Sequence, residues 1–319
     1  MSGATTATAV RSTMLGAAGL TAPVELLELT GAPGPATLAV LAGVHGDEPE
    51  GVLAVRRLVR RLEQLGLTGG VLAVPVANPT AWAVSSRTSP VDGGNLARCF
   101  PGDAGGGESE RLARVLTDAV LARATFLVDL HAAGAAYEMP FFAGALASGP
   151  QGAESVAAAA AFGAPLVWEH SAIGPGRSIS AAAALGIGAI YVEAGGGGNL
   201  RGSDLDGYVD GVLRVMARLG MVEAAQAGVE APLPPALTIR GGDGDIDAGA
   251  LAPVDGWCVA RAAVGQTVAA GDAIAELLEP DGSHRSVIRA RRPGTVAMLR
   301  HSAAIRAGDL VCVLAPVAS

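Results

Sequence analysis

The chain has 319 residues, half of them apolar and 16% charged, with a formal net charge of −8. That balance suits a compact protein of about two domains and excludes a disordered chain, while the acidic charge and scarce aromatics exclude a nucleic-acid-binding surface. Lysine is absent altogether, which excludes a GK[ST] phosphate loop and any lysine-linked cofactor.

The first 20 residues carry one arginine and no apolar core of a signal segment, so they read as a loose lead-in. No apolar run approaches the 18 or so residues of a membrane span. Cys99, Cys258 and Cys312 are an odd, widely spaced set, which fits reduced thiols in the cytoplasm better than a disulfide framework.

A first strand is expected near Val24–Leu29 and a second over Thr37–Leu41. The second runs into GVHGDEPEG, where His45 and Glu48 stand three apart just before Pro49 opens a helix. An imidazole and a carboxylate are zinc-ligand types, and a catalytic zinc needs a third protein ligand and an open position. The same residue types are common in surface turns. The helix, Pro49 to Leu65, sets Val52, Val55, Leu58, Val59, Leu62 and Leu65 on one face, opposite Arg56, Arg57, Arg60 and Arg61.

After a strand at Val71–Val76 comes a long irregular stretch, Asn78–Gly107, of the kind that is usually functional or disordered. A helix over Glu108–Arg123 and a strand over Phe126–Leu130 follow, and the strand delivers Asp129 and His131. If the strand continues, those two side chains share a face, so Asp129 suits either a carboxylate that orients the imidazole or an ordinary strand-end acid. A helix near Glu154–Phe162, a strand near Leu166–Trp168, a helix near Ser180–Leu185 and a strand at Ala189–Val192 lead to Glu193 and four glycines. The glycines read as flexibility beside Glu193 rather than a phosphate cradle. A helix over Ser203–Gly220 completes the unit.

Alternating strands and helices predict an α/β fold with a mostly parallel sheet, and strand ends are where such sheets bind ligands. Three strands end on His45, His131 and Glu193. The expected organisation is a domain over residues 1–225, a linker over 226–235 and an all-β domain over 236–319. In the last, Gly256–Leu277 and Gly294–Leu314 form a quasi-repeat resembling the half-barrels of biotinyl and lipoyl domains, but with no attachment lysine a structural role is expected.

GVHGDEPEG, NPTAW, RTSPVDGGNLARCFPG, DLHAAG and YVEAGGGG, in this order and followed by a β domain, resemble the succinylglutamate desuccinylase and aspartoacylase family. The likeness is greatest to its bacterial branch of N-acetyl-diaminobutyrate deacetylases. The resemblance implies a zinc carboxypeptidase-like fold and an amidohydrolase that removes an acyl group from an N-acylated amino acid or small amine. It implies that His45, Glu48 and His131 bind one Zn²⁺ and that Glu193 is the general base activating the zinc-bound water. Arg87 is the candidate for polarising the scissile carbonyl, and Arg98 matches the arginine that grips a substrate carboxylate.

The family has Asn before that arginine where this chain has Ala97, and Asn95 is the candidate to compensate by contacting substrate. Tyr137 and Glu138 are candidates to line the pocket. Cys99 has no partner base, and His170, His284 and His301 match no family position, so they read as surface or packing residues. The expected partner is a small N-acylated molecule, with no nucleic acid and no membrane; a homo-oligomer is compatible. A carboxypeptidase-like hydrolase and a silent binding protein on the same fold are the alternatives.

Overall fold

The computed structural model describes residues 8–244 and 249–317. A nine-stranded mixed sheet organises the larger unit. In chain order its strands are β1 (Ala9–Leu15), β2 (Val24–Thr30), β3 (Ala32–Ala42), β4 (Thr68–Val74), β5 (Phe126–Ala132), β7 (Phe142–Leu146), β8 (Leu166–His170), β9 (Gly188–Ala194) and β10 (Leu237–Arg240); the short β6 (Tyr137–Glu138) lies outside it. Their spatial order is β1-β2-β4-β3-β5-β9-β7-β8-β10. The centre, β4-β3-β5-β9, is parallel, and β7 turns back antiparallel to β9 before β8 and β10 continue alongside it.

The central strands are apolar on both faces because both are covered. In β3, Leu38, Val40 and Ala42 enter one core with helices α1 (Pro49–Leu62), α4 (Gly152–Phe162) and α6 (Gly202–Arg218). Ala39 and Leu41 face the other core, with α3 (Glu108–Ala119) and α5 (Ser178–Ala184). The short α2 (Pro79–Ala83) and a 3₁₀ turn at Leu96–Arg98 interrupt the long irregular stretch. Helix α1 has Pro49 in its first turn, where no N–H is needed, and Arg60 and Arg61 in its last turn, where cations oppose the helix dipole. It stops at Leu62 rather than Leu65.

Two boundaries differ from the sequence expectation. Residues Ala9–Leu15 are not a lead-in but an edge strand paired along its whole length with β2. Its sequence, AVRSTML, is too polar and exposed to announce itself. Leu237–Arg240 does not open the β domain; it is the far edge of the large sheet, parallel to β8. A short alternating strand reads alike in either setting. The stretch before it is also partly anchored, with Met221, Val222, Ala227 and Val229 buried in the larger core and a short helix α7 at Ala224–Ala227.

The C-terminal strands are all paired antiparallel: β11 (Ala250–Leu251), β12 (Gly256–Ala260), β13 (Thr267–Val268), β14 (Ala273–Leu278), β15 (His284–Arg289), β16 (Gly294–Arg300), β17 (Ala304–Ile305) and β18 (Leu310–Ala315). The quasi-repeat is real at the level of pairing. Each half is strand, short strand, strand, and each short strand crosses to the other half: β13 pairs β16 and β17 pairs β12. Tyr137 and Glu138 pair with Arg300 and Leu299, so β6 joins the C-terminal sheet, and neither residue lines the cavity described below. Among the described residues no helix is long and apolar enough to cross a membrane, and the three cysteines are unpaired.

Candidate metal and catalytic centre

Strand β3 ends in a turn that two glycines make. Gly43 adopts φ +62°, and a Cβ on Gly46 would lie 2.1 Å from the carbonyl carbon of Ala81. The turn packs against α2 and sends both His45 and Glu48 inward, where they are 3% and 2% exposed. His131, near the end of β5, is the register partner of Glu193 on β9, so these side chains are neighbours on the α3/α5 face of the sheet. Asp129 and Tyr191 lie two residues earlier on the same two strands and share that face.

His45 Nδ1 is 2.7 Å from Glu48 Oε1, and His131 Nδ1 is 3.1 Å from Glu48 Oε2. The three residues offer ligand atoms within 4.8 Å of one another. The outer nitrogens explain why this is a donor set. Asn95 Oδ1 accepts the Ala97 N–H at 3.0 Å, which fixes the amide's orientation, and so takes an N–H from His45 Nε2 at 3.1 Å. Asp129 Oδ2 lies 3.1 Å from His131 Nε2 and also accepts the Ser178 hydroxyl. Both histidines can therefore keep their proton on Nε2 and turn the Nδ1 lone pair toward Glu48. Two imidazoles and a carboxylate around one point, with the outer nitrogens tied down, fit a divalent metal.

Electrostatics follow from the packing. Burial alone would raise Glu48, but His45 and His131 outweigh it and hold the carboxyl far below its ordinary range. Burial lowers His45, whereas for His131 the Asp129 and Glu48 carboxylates overcome burial and raise it well above 6.5. Glu193 is pushed up to about 8 by burial, reinforced by Glu48 and opposed by His131 and Arg87. Its Oε2 is buried without a hydrogen-bond partner. A poised carboxylate beside a metal-binding cluster is what general-base chemistry uses.

The sequence-derived residues largely converge. Arg87 comes from the long loop, with Nη1 3.2 Å from Glu48 Oε1, and together with Ala97 and Arg98 it lines the cavity that also holds His45, His131 and Glu193. Asn95 is not among the residues that line this cavity, and its carboxamide oxygen is engaged by His45 and Ala97. Asp129 does orient His131, as its spacing suggested.

The cavity residues that the sequence reading did not place there include Arg177, Tyr191 and His170. Tyr191 carried a signal, since it precedes Glu193 by two on one strand. Of the two readings for His170, surface or packing, the structure takes the second: it is 1% exposed, with Nε2 2.7 Å from the Tyr191 hydroxyl. Burial holds His170 down at about 4, against an ordinary value of 6.5. Between those values the unfolded chain binds a proton that the folded chain refuses, so stability falls as pH drops through that window, by on the order of 3 kcal/mol in all. Urea unfolding at pH 7 and pH 4.5 is expected to show this loss, and a His170→Gln variant to show a flatter profile.

The catalytic-domain profile of succinylglutamate desuccinylase and aspartoacylase matches residues 34–219. The chain belongs to the succinylglutamate desuccinylase/aspartoacylase family. The N-alpha-acetyl-L-2,4-diaminobutyric acid deacetylase of Halomonas elongata is 31% identical over 293 residues, covering 89% of this chain and 83% of that protein. The crystal structure of a succinylglutamate desuccinylase from Silicibacter superposes with a TM-score of 0.85 at 26% identity, covering 98% of this chain and 96% of that one. The product-bound ectoine utilization protein EutE (DoeB) of Ruegeria pomeroyi gives 0.84 at 26% identity, with the same coverage. The chain thus joins a deacylase family with a deacetylase among its members, and its own His45, Glu48 and His131 are a group that could hold a metal ion.

Proposed function

We propose that this chain is a zinc-dependent amidohydrolase that removes an acetyl or similar acyl group from an N-acylated amino acid or small amine in the cytoplasm. The observation that carries the reading is the three-donor cluster of His45, Glu48 and His131 with Glu193, whose Oε2 is buried without a hydrogen-bond partner, beside it. The Halomonas relative supports acetyl as the acyl group. The three cysteines, unpaired among the described residues, fit a reducing compartment.

His45, Glu48 and His131 would hold the Zn²⁺, which when bound acidifies a water and polarises a carbonyl. Glu193 takes the proton of the attacking water and delivers it to the departing amine nitrogen, so the amine leaves uncharged and the acid is released. Arg87 directs its guanidinium at the carbonyl oxygen as negative charge builds there, a task for a group that stays protonated throughout. Arg98 binds the substrate carboxylate, and with Ala97 in place of an amide that grip is looser than in the family pattern. Asn95 and Asp129 act at one remove, by fixing the imidazoles.

Hydrolysis of a panel of N-acetyl and N-succinyl amino acids tests the reading, and inertness of the zinc-loaded protein toward the whole panel would overturn it. The role of Asn95 has its own check. Asn95→Ala is expected to weaken zinc binding by about tenfold or more, measured by competition with a chromophoric chelator. An unchanged affinity would return Asn95 to the loop as a mere cap.

A further inference from the structure

The cavity that holds His45, His131 and Glu193 is also lined by Met139, Phe142, Trp168, Met298 and Val313. These residues straddle the two sheets. Phe142, Trp168, Ala297 and Ala315 share one buried cluster with Met139 and Tyr191 packed against it, so β7 and β8 supply one side and β16 and β18 the other. Four rings close on themselves there. Centroids are 5.9 Å apart for Phe142–Trp168, 4.6 Å for Trp168–His170, 5.6 Å for His170–Tyr191 and 5.6 Å for Tyr191–Phe142.

The arrangement is built into the backbone. A Cβ on Gly144 would lie 2.1 Å from Tyr191 Cε1, so only glycine lets that ring lie across β7 to meet His170. Neither member of the pair is charged at neutral pH, because burial lowers His170 to about 4 and raises Tyr191 well above 10. Arg177 and Asp243 also line the cavity, one basic and one acidic. Tyr191 precedes Glu193 by two residues on one face, so the pair stands roughly 7 Å along the sheet from the base, about the reach of a short side chain.

We infer that this aromatic chamber is a specificity subsite for an uncharged, largely apolar substituent of the substrate, closed at its end by the hydrogen-bonded His170–Tyr191 pair. The inference rests on the deacylase reading and narrows its substrate class. A charged substituent would have to shed water against apolar walls, whereas each methylene buried there favours binding by about fourfold. The substituent comes from either the amino-acid side chain or the acyl chain, and the two are separable by experiment.

The test is kcat/KM of the zinc-loaded wild-type protein on two series. In one, N-acetyl-L-norvaline is set against N-acetyl-L-2,4-diaminobutyrate, which has the same shape and a terminal ammonium. In the other, N-acetyl-, N-butanoyl- and N-hexanoylglycine are compared. A preference of tenfold or more for norvaline assigns the chamber to the side chain, and a tenfold or greater rise with acyl length assigns it to the acyl group; either supports the inference. Diaminobutyrate turned over as well as norvaline, together with a flat acyl series, overturns it and leaves the deacylase reading standing. Met139→Glu, in a loop and half-buried, is expected to erase whichever preference appears, and a preference kept intact by that variant also overturns the inference. Inertness toward every substrate overturns the deacylase reading and the inference with it.

Discussion

Exchanging Glu193 for Gln is expected to lower kcat by about a thousandfold, within the range for loss of a positioned general base, while metal content and KM stay near their wild-type values. Gln keeps the shape and a hydrogen-bonding end, so the metal donors His45, Glu48 and His131 have no reason to move. Only the capacity to take and return a proton is lost. The pH profile should agree. Glu193 must be ionised to act, and burial holds it at about 8 against the pull of His131 and Arg87. A bound dication would favour the ionised form, so the acidic limb of kcat/KM is expected to lie below pH 8. A variant that kept a tenth of wild-type kcat would remove Glu193 from the mechanism.

Chelation is expected to abolish hydrolysis completely, and stoichiometric Zn²⁺ to restore it; activity persisting in metal-free protein would refute the proposed chemistry. The metal-free protein should also have a distinctive stability profile. Its Glu193 keeps a proton up to about 8, whereas an unfolded glutamate loses it near 4.5. Between those values the folded form binds the extra proton, so the contribution of this group falls as pH rises. Denaturant titrations at several pH values should show this decline in metal-free wild type and a shallower one in metal-free Glu193→Gln. Metal offsets part of the loss, adding about 2.7 kcal/mol at a free concentration one hundred times its Kd.

The centre was legible from sequence because three of its residues follow apolar strands and the fourth, Glu48, lies three residues after the first of them. His45, His131 and Glu193 announce themselves by breaking that pattern, and the motif order then names the family. What the sequence hid depends on tertiary contact. Asn95 looks like a loop amide facing substrate, and only the packing of the loop onto β3 turns its oxygen to His45. His170 ends a strand as His131 does, but its role depends on Tyr191, and no spacing in the chain links residues 21 positions apart. The edge strands β1 and β10 were missed for a shared reason. Each is short and solvent-facing, so its alternation is indistinguishable from that of a loop or of a strand in the neighbouring unit.

The crossing of strands between the two units limits how the chain can be divided. β6 leaves the larger unit to extend the C-terminal sheet, and β10, which precedes the C-terminal strands, seals the far edge of the larger sheet. A cut after Pro235 would bare the backbone of β8, a ready template for intermolecular pairing, and would remove Met298 and Val313 from the chamber wall. The protein is thus two units by architecture but one by assembly, and grafting a different C-terminal unit onto it would rewrite the floor of the active-site cavity along with the surface.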